Sequence, residues 1–302
     1  MRFSPEDIHK VLFDLFTKHS FDEEKAKLLA DVFVESTVDG VSSHGVNRVP
    51  LFIDHVKKGI VKVDTEPEKV ASFGNMERWD GNLGAGILNA TKCTSRATEL
   101  AKQYGMGMVA LRNTNHWMRG GTYGKQAANA DCISILFTNT KPNMPPWGGK
   151  ESRIGNNPFV VSIPRENGHV VLDMAMSQFS FGKINDYRLR GEKLPFHGGW
   201  DDSDELSDDP EKILSKERGL PMGYWKGSAL SMVIYPEVFG DKGLQQTMLD
   251  EIIAFTHDVE TMDSDSRIYY PGERSAQTRK RNLEEGIFVN DSIWLEIVKL
   301  GK

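Results

Sequence analysis

Ser42-Ser43-His44-Gly45-Val46-Asn47-Arg48 places a histidine at the mouth of a helix and an arginine four residues on, a spacing that puts both on one helical face. A histidine titrates near neutrality, so it can hold a proton and release it to a developing alkoxide. An arginine suits a bidentate grip on a carboxylate. Together the two residue types describe a site for a 2-oxo acid. The plainer reading is a serine-capped helix with a surface histidine and a surface arginine, and spacing alone favours it. A second cluster, Asn113-Thr114-Asn115-His116-Trp117, follows a short apolar run that reads as a strand. Strand ends are where α/β enzymes place ligand-contacting loops. His116 suits a hydrogen bond to a substrate or a nicotinamide, and equally one that satisfies loop backbone.

Other motifs carry less. Pro145-Pro146-Trp147-Gly148-Gly149 and Gly155-Asn156-Asn157-Pro158 permit close backbone approach, as a loop wrapping a ligand needs and as any tight connection needs. Lys226 precedes Gly227-Ser228, the expected mouth of a helix, where a lysine and free N–H groups would hold a pyrophosphate. A solvated lysine in a turn fits as well. Gly81-Asn82-Leu83-Gly84-Ala85-Gly86 runs GxxGxG rather than GxGxxG, and no acid ends a second strand about 20 residues later. It reads as a turn that starts a helix and does not support a Rossmann fold. Nothing has the spacing of a metal triad, a hydrolase elbow or a P-loop.

The elements that must position these residues follow from periodicity and caps. Ser4-Pro5-Glu6-Asp7 is a helix start, and Ile8, Val11, Leu12, Leu15 and Phe16 then form one apolar face. A second helix runs from Asp22 to near Gly40 and a third from about Val46 to Lys58. Gly86 to Tyr104 and Gly121 to Ala130 read as helices; Met108 to Leu111 and Cys132 to Thr138 read as strands. Phe159–Ile163 and Val170–Met174 form a hairpin across Glu166-Asn167-Gly168. Asp201 to Asp208 is an exposed loop. Helices follow at Asp209–Glu217, from Ser228, at Gln277–Glu285 and at Asp291–Leu300. The fold class is α/β without a Rossmann unit. The helical segment 1–70, completed by the C-terminal helices 275–302, forms a discontinuous helical domain beside an α/β domain, 71–274.

Composition bounds the partners. The 302 residues are 39% hydrophobic and 26% charged, the profile of a soluble globular protein, and no apolar run is long enough to span a membrane. The N-terminus lacks a signal peptide's apolar region. A net charge of −6 without a basic stripe argues against nucleic acid. Two cysteines, Cys93 and Cys132, outside any CxxC or Cys/His cluster fit a reducing cytoplasm and no structural zinc. A cytoplasmic enzyme or binding protein is the expectation.

In this order the clusters resemble the malate/L-lactate dehydrogenase family, the type unrelated to the Rossmann lactate dehydrogenases. The resemblance rests on Ser43–Arg48, Asn115–Trp117, the run ending at Pro158, Leu172–Ser177 and Pro271-Gly272-Glu273, and it covers nearly the whole chain. Asn115–Gly121, Met144–Gly148 and Leu220–Ser228 resemble a branch acting on a sugar acid; other branches typically carry Phe-Gly where this chain has Trp117-Met118. The resemblance implies a two-layer α/β cofactor domain and a homodimer whose cofactor cleft lies near the subunit boundary. It implies reduction of a 2-oxo sugar acid by NADH, with NADPH the alternative donor, and no metal. His44 would be the proton donor, with Ser43 orienting its ring, Arg48 taking the carboxylate, and Asn115, His116 and Trp147 contacting substrate. The cofactor would lie along His169, Val170, Val171, Leu172, Asp173, Met174 and Ala175, with Trp225, Lys226, Gly272, Glu273 and Arg274. Alternatives are a malate-, lactate- or ureidoglycolate-type dehydrogenase and a non-catalytic nucleotide-binding protein. A metal hydrolase built on His44 and His116 lacks a carboxylate with ligand spacing.

The sequence departs from that family in one place. After Ser231-Met232-Val233-Ile234 the family continues its helix into a glycine-rich loop and another strand, whereas here Tyr235-Pro236 follows at once, and proline cannot extend the helix. The expectation is a segment left out between Ile234 and Tyr235, which would then not be bonded neighbours, and part of a cofactor cleft missing with it.

Overall fold

The computed structural model describes residues 1–144, 152–201, 203, 205–215, 227–236, 242–259, 261 and 267–302. The chain begins with β1 (Arg2–Phe3) and three helices, α1 (Pro5–Lys18), α2 (Glu23–Val38) and α3 (Val49–Lys57). The Ser4 hydroxyl caps α1 by accepting from Asp7 N at 3.0 Å, and Asp22 caps α2 in the same way. Their apolar faces meet in one core, where Phe16, Phe33 and Phe52 lie with ring centroids 5.5–5.7 Å apart.

The middle of the chain builds a seven-stranded sheet. β2 (Glu68–Phe73) and β3 (Met76–Asp80) lead into α4 (Gly86–Tyr104) and β4 (Met106–Thr114). Next come α5 (Gly120–Asn129), β5 (Ile133–Thr138), a small β6 (Pro142–Met144)–β7 (Ile154–Gly155) ribbon, and the hairpin of β8 (Phe159–Ile163) and β9 (Val170–Met174). Then follow α6 (Phe181–Arg190), a two-residue ribbon of β10 (Gly199–Trp200) and β11 (Leu206–Ser207), α7 (Pro210–Ser215) and β12 (Gly227–Ile234). The strand order is β2-β3-β4-β12-β5-β8-β9, with only β3 and β4 parallel. α4 packs across β4 and β12 and α5 across β5 and β8, which makes two layers. The chain ends with α8 (Lys242–His257), α9 (Glu273–Glu285), β13 (Ile287–Phe288) and α10 (Asp291–Leu300). α10 returns to the N-terminal helices, burying Trp294 and Ile297 there, and β13 pairs with β1.

Four expectations need correction. The stretch from Ser228 is a strand rather than a helix. It is inserted between β4 and β5 and hydrogen-bonds to both, so a central sheet position decides a conformation that a short apolar run leaves ambiguous. Ile234 and Tyr235 are also consecutive in a continuous chain. Ile234 pairs with both Met106 and Ile133, and Tyr235 N donates to Gly105 O at 2.9 Å. Finally, the third helix begins at Val49, after two 3₁₀ turns at Ser42–His44 and Val46–Arg48. Gly45, between those turns, has non-helical backbone, so His44 and Arg48 do not share a helical face. β2, α6 and α8 had no clear sequence signal, and the Asp201–Asp208 stretch, expected as a loop, holds strand β11, which pairs with β10 just before it.

Candidate active site

The first pocket segment is fixed by a glycine against a helix end. A Cβ on Gly45 would lie 2.1 Å from Thr37 Oγ1 and 3.0 Å from Phe33 O, so only glycine lets the chain pass there. Thr37 Oγ1 accepts from Val46 N at 2.9 Å and donates to Phe33 O, which ties the turn to α2. His44 is thereby held with Nδ1 3.1 Å from Ser43 Oγ. α6 backs this turn: Asn47 Nδ2 donates to Asp186 Oδ1 at 2.8 Å, and Gly182 lies against Ser43.

The second segment is held by α4. A Cβ on Gly86 would meet Asn115 O at 2.1 Å and His116 O at 2.3 Å, so the loop sits directly on the first turn of that helix. Asn115 is buried, and its Nδ2 donates to the carbonyls of Ile60, Leu83 and Gly84. That amide nitrogen is committed to holding the loop. Trp117 is likewise a core residue, packed on Tyr123, whose hydroxyl donates to Trp117 O. His116 points the other way: its ring lies 5.7 Å from that of His44, and its Nδ1 accepts from Met118 N at 2.8 Å. An accepting Nδ1 makes His116 a neutral Nε2–H imidazole.

The electrostatics of this pocket are uncompensated. Arg48 is half-buried and makes no hydrogen bond or ion pair among the described residues. Burial, then the guanidinium groups of Arg48 and Arg119, pull His44 down to about 4. His116 is pulled well below its ordinary value by burial, then by Arg48, His44 and His55. His55 is lowered too, by burial first and Arg48 second. A cation surrounded by neutral imidazoles is a place prepared for an anion.

A charge cluster missed in the sequence lies beside it. Asp39, at the end of α2, is buried and accepts from Arg119 Nη1 and Lys125 Nζ in short contacts, and from Arg279 Nη1 of α9 at 3.1 Å. Desolvation opposes the Asp39 charge, but Arg119 and Lys125 outweigh it and hold the carboxyl below its usual range. Arg119 Nε is also 3.9 Å from Asp173 Oδ2. The motif containing Arg119 was visible, but nothing local paired it with Asp39, 80 residues away.

The expected cofactor segments come together around β9. Val171 N donates to Pro271 O at 2.9 Å, so the Pro271-Gly272 turn runs against the strand. Gly272 has φ +99°, and a Cβ there would sit 3.0 Å from Val171 N. Val170 pairs with Ile163, Leu172 with Val161, and Met174 with Phe159. His169 bridges Arg165 N and Asn129, which fixes the hairpin to α5. Asp173 Oδ2 accepts from Gly121 N at 2.8 Å, and burial raises its carboxyl. Glu273 pairs with His257 at 2.9 Å, and Arg274 stacks on Tyr269. Beyond Ala175, Ser177 Oγ is buried with no hydrogen-bond partner among the described residues, as is Asn143 Oδ1 on β6. The segments that carry them meet through Asn156, whose backbone carbonyl accepts from Met176 N and whose Oδ1 accepts from Thr140 Oγ1. Trp147, Trp225 and Lys226 lie outside the described residues. Among the described residues no His, Cys, Asp and Glu group could hold a metal, and no helix is long and apolar enough to cross a membrane.

Residues 3–235 match the model of a family described as malate/L-lactate dehydrogenase. The chain is 38% identical to 2,3-diketo-L-gulonate reductase of Salmonella paratyphi A, with 99% of this chain and 100% of that protein covered. It is 40% identical to the 2,3-diketo-L-gulonate reductase of Citrobacter koseri, over 92% and 93% of the two chains. Among solved structures, a malate dehydrogenase from Entamoeba histolytica superposes with a TM-score of 0.92 at 23% identity, covering 99% of this chain and 97% of that one, a likeness of fold. Sulfolactate dehydrogenase from Methanocaldococcus jannaschii is 28% identical with a TM-score of 0.86, covering 99% and 96%. The Salmonella alignment runs over 333 positions against 302 residues here, so a stretch of that relative has no counterpart in this chain. The family match stops at Tyr235, where the sequence departs from the pattern. The chain belongs to the malate/L-lactate dehydrogenase family and is an oxidoreductase acting on 2-hydroxy acids.

Proposed function

We propose that this protein reduces a 2-oxo sugar acid to the corresponding 2-hydroxy acid, with 2,3-diketo-L-gulonate going to 3-dehydro-L-gulonate and NADH as the electron donor. The observation that carries the reading is Arg48, a half-buried guanidinium with no carboxylate partner among the described residues, whose charge acts on His44 and His116. A 2-oxo acid supplies the carboxylate that Arg48 lacks and the carbonyl oxygen that needs a proton. His44 donates that proton. Ser43 orients the imidazole through Nδ1, and His116, whose ring lies beside that of His44, contacts the substrate.

The residues around β9 fit a nicotinamide dinucleotide. Ser177 Oγ and Asn143 Oδ1, without partners among the described residues, are polar groups that a ligand rich in hydroxyls and amides satisfies, and the Pro271-Gly272 turn brings its backbone against β9. The bound cofactor supplies a hydride to the substrate carbonyl carbon. His169–Ala175 and Gly272–Arg274 hold it, with Trp225 and Lys226 completing the grip and Trp147 contacting the substrate. The protein acts as a homodimer in the cytoplasm.

The test is NADH oxidation followed against a panel of 2-oxo acids. Turnover is expected to be fastest with 2,3-diketo-L-gulonate, above oxaloacetate, pyruvate and sulfopyruvate, and to be faster with NADH than with NADPH. His44→Ala is expected to cut kcat by about 10²–10⁴-fold and to leave NADH affinity nearly unchanged. NADH binding without turnover of any panel member would support the non-catalytic reading, which the missing stretch beyond Ile234 favours.

A further inference from the structure

We propose that Asp186 is a positioning residue for the substrate pocket: by accepting from Asn47 it fixes the turn that carries His44 and Arg48 against α6. The inference rests on the reading of His44 as proton donor and Arg48 as carboxylate anchor, and it adds to them a residue from a distant part of the chain.

The turn needs outside support because it has little of its own. His44 and Arg48 each end a three-residue 3₁₀ turn, and neither turn has a side-chain cap. Gly45 breaks the helical path between them. The backbone bonds within the turn are local: His44 N, Gly45 N and Arg48 N donate to the carbonyls of Val41, Ser42 and Gly45. On one side the support is Thr37 of α2, whose hydroxyl takes Val46 N. On the other side it is α6. Gly182 and Asp186 are four residues apart on that helix and so share one face. A Cβ on Gly182 would lie 3.1 Å from Ser43 Cβ, so the start of α6 abuts the first 3₁₀ turn. One helical turn further on, Asp186 Oδ1 accepts from Asn47 Nδ2 of the second 3₁₀ turn at 2.8 Å. Asn47 directly precedes Arg48, so a shift of Asn47 passes to the guanidinium.

Asp186 has no other engagement that would account for it. Its carboxylate is half-buried, and among the described residues it makes this one hydrogen bond and no ion pair. The cations of the same helix are engaged elsewhere: Lys183 lies over the Tyr187 ring and Arg190 pairs with Glu192. The helix that presents Asp186 is also held independently of the turn. Ser180 caps it by accepting from Lys183 N at 3.1 Å, Ile184 is buried with Leu194 and Ile213, and Asn290 at the start of α10 donates to Leu189 O at 3.4 Å. A group that positions another must itself sit on a fixed element. α6 follows β9 in the chain, so one helix joins the strand proposed to hold the cofactor to the turn proposed to hold the substrate.

The experiment compares Asp186→Ala, Asp186→Asn and Asn47→Ala in steady-state reduction of the best 2-oxo acid of the panel, with NADH affinity measured separately from the quenching of protein fluorescence. Asp186→Ala is expected to raise KM for the 2-oxo acid about tenfold and to lower kcat several-fold, with the Kd for NADH within about twofold of the parent. Asp186→Asn keeps a carbonyl oxygen at the same place and is expected to return KM to within about threefold of the parent. Asn47→Ala, which leaves α6 intact, is expected to reproduce the rise in KM. Adding Asp186→Ala to it should cost little more, because both remove the same bond. Parent KM and kcat in Asp186→Ala overturn the proposal. So do an Asp186→Asn variant as impaired as Asp186→Ala, losses that multiply in the double variant, and equal weakening of NADH and 2-oxo acid, the mark of a loosened fold. Should Asp186→Ala not fold, parent kinetics in Asn47→Ala overturn the proposal by themselves. A parent chain that turns over no 2-oxo acid overturns the reading of His44 and Arg48, whereas parent turnover with an indifferent Asp186→Ala overturns only the role of Asp186.

Discussion

Two buried charge centres lie side by side in this molecule and are built on opposite rules. Around Asp39, three cations from two further elements converge on one carboxylate, and Arg279 lies within 3.5 Å of Glu35 as well. Around Arg48, one cation faces three neutral histidines and no carboxylate pairs with it among the described residues. The first centre is complete within the chain. It joins the end of α2, the start of α5 and the C-terminal α9, so it holds the helical layer to the sheet. The second is incomplete, and a buried charge without its counterion raises the energy of the free protein until a ligand supplies one. Stability resides in the first centre, and the second is where the proposed substrate carboxylate would bind.

Substitutions should separate them. The largest stability loss is expected for Asp39→Asn, which leaves Arg119, Lys125 and Arg279 without their shared anion. Removing one partner of a buried ion pair costs about 3–5 kcal/mol, so the melting temperature should fall sharply. An unchanged melting temperature would mean that the cluster is not holding the layers together. Gly86→Ala is next. Its Cβ meets two backbone carbonyls of the His116 loop, atoms that cannot swing away, so the cost is about 1–3 kcal/mol. The same displacement moves His116 away from His44, and kcat should fall about tenfold or more. A stability loss without any kinetic loss would show that the loop's position is irrelevant to the chemistry.

How much of this was readable beforehand follows the same division between local and distant determinants. α4 and its stop at Gly105, α10, and the β8–β9 hairpin are read correctly because their signals are local. Gly105 has φ +83° at the helix end and Gly168 φ +101° in the hairpin turn, conformations that glycine advertises in sequence. β12 is misread because its residues are strand only by virtue of β4 and β5 on either side. At the candidate site, residue types point to His44, Arg48 and His116, but their approach depends on Gly45 against Thr37 and Gly86 against Asn115, contacts invisible to spacing. Asp39 and Arg119 escape for the same reason, since a salt bridge between distant positions leaves no periodic trace.

The smallest expected effect sharpens the comparison most. Arg48→Met removes a half-buried cation that no carboxylate pairs among the described residues, so at pH 7 its stability should stay within about 1 kcal/mol of the parent or rise, the reverse of Asp39→Asn. Its pH dependence should differ as well. His44, His55 and His116 have folded pKa values below the unfolded 6.5, so the unfolded chain binds protons first as pH falls. Stability is then full above 6.5 and drains as pH falls through the window down to about 4 for His44. Arg48 contributes to the depression of all three, second to burial for His44 and His55 and also for His116. In Arg48→Met the folded values should move up towards 6.5, and melting temperature plotted between pH 6.5 and 4 should fall less steeply than in the parent. The Asp39 centre cannot produce that slope, because a carboxylate held low loses its contribution only as pH falls below the ordinary value of 3.8. A slope unchanged by Arg48→Met would place the charge that keeps the histidines neutral somewhere other than Arg48, and the two centres would no longer be distinct.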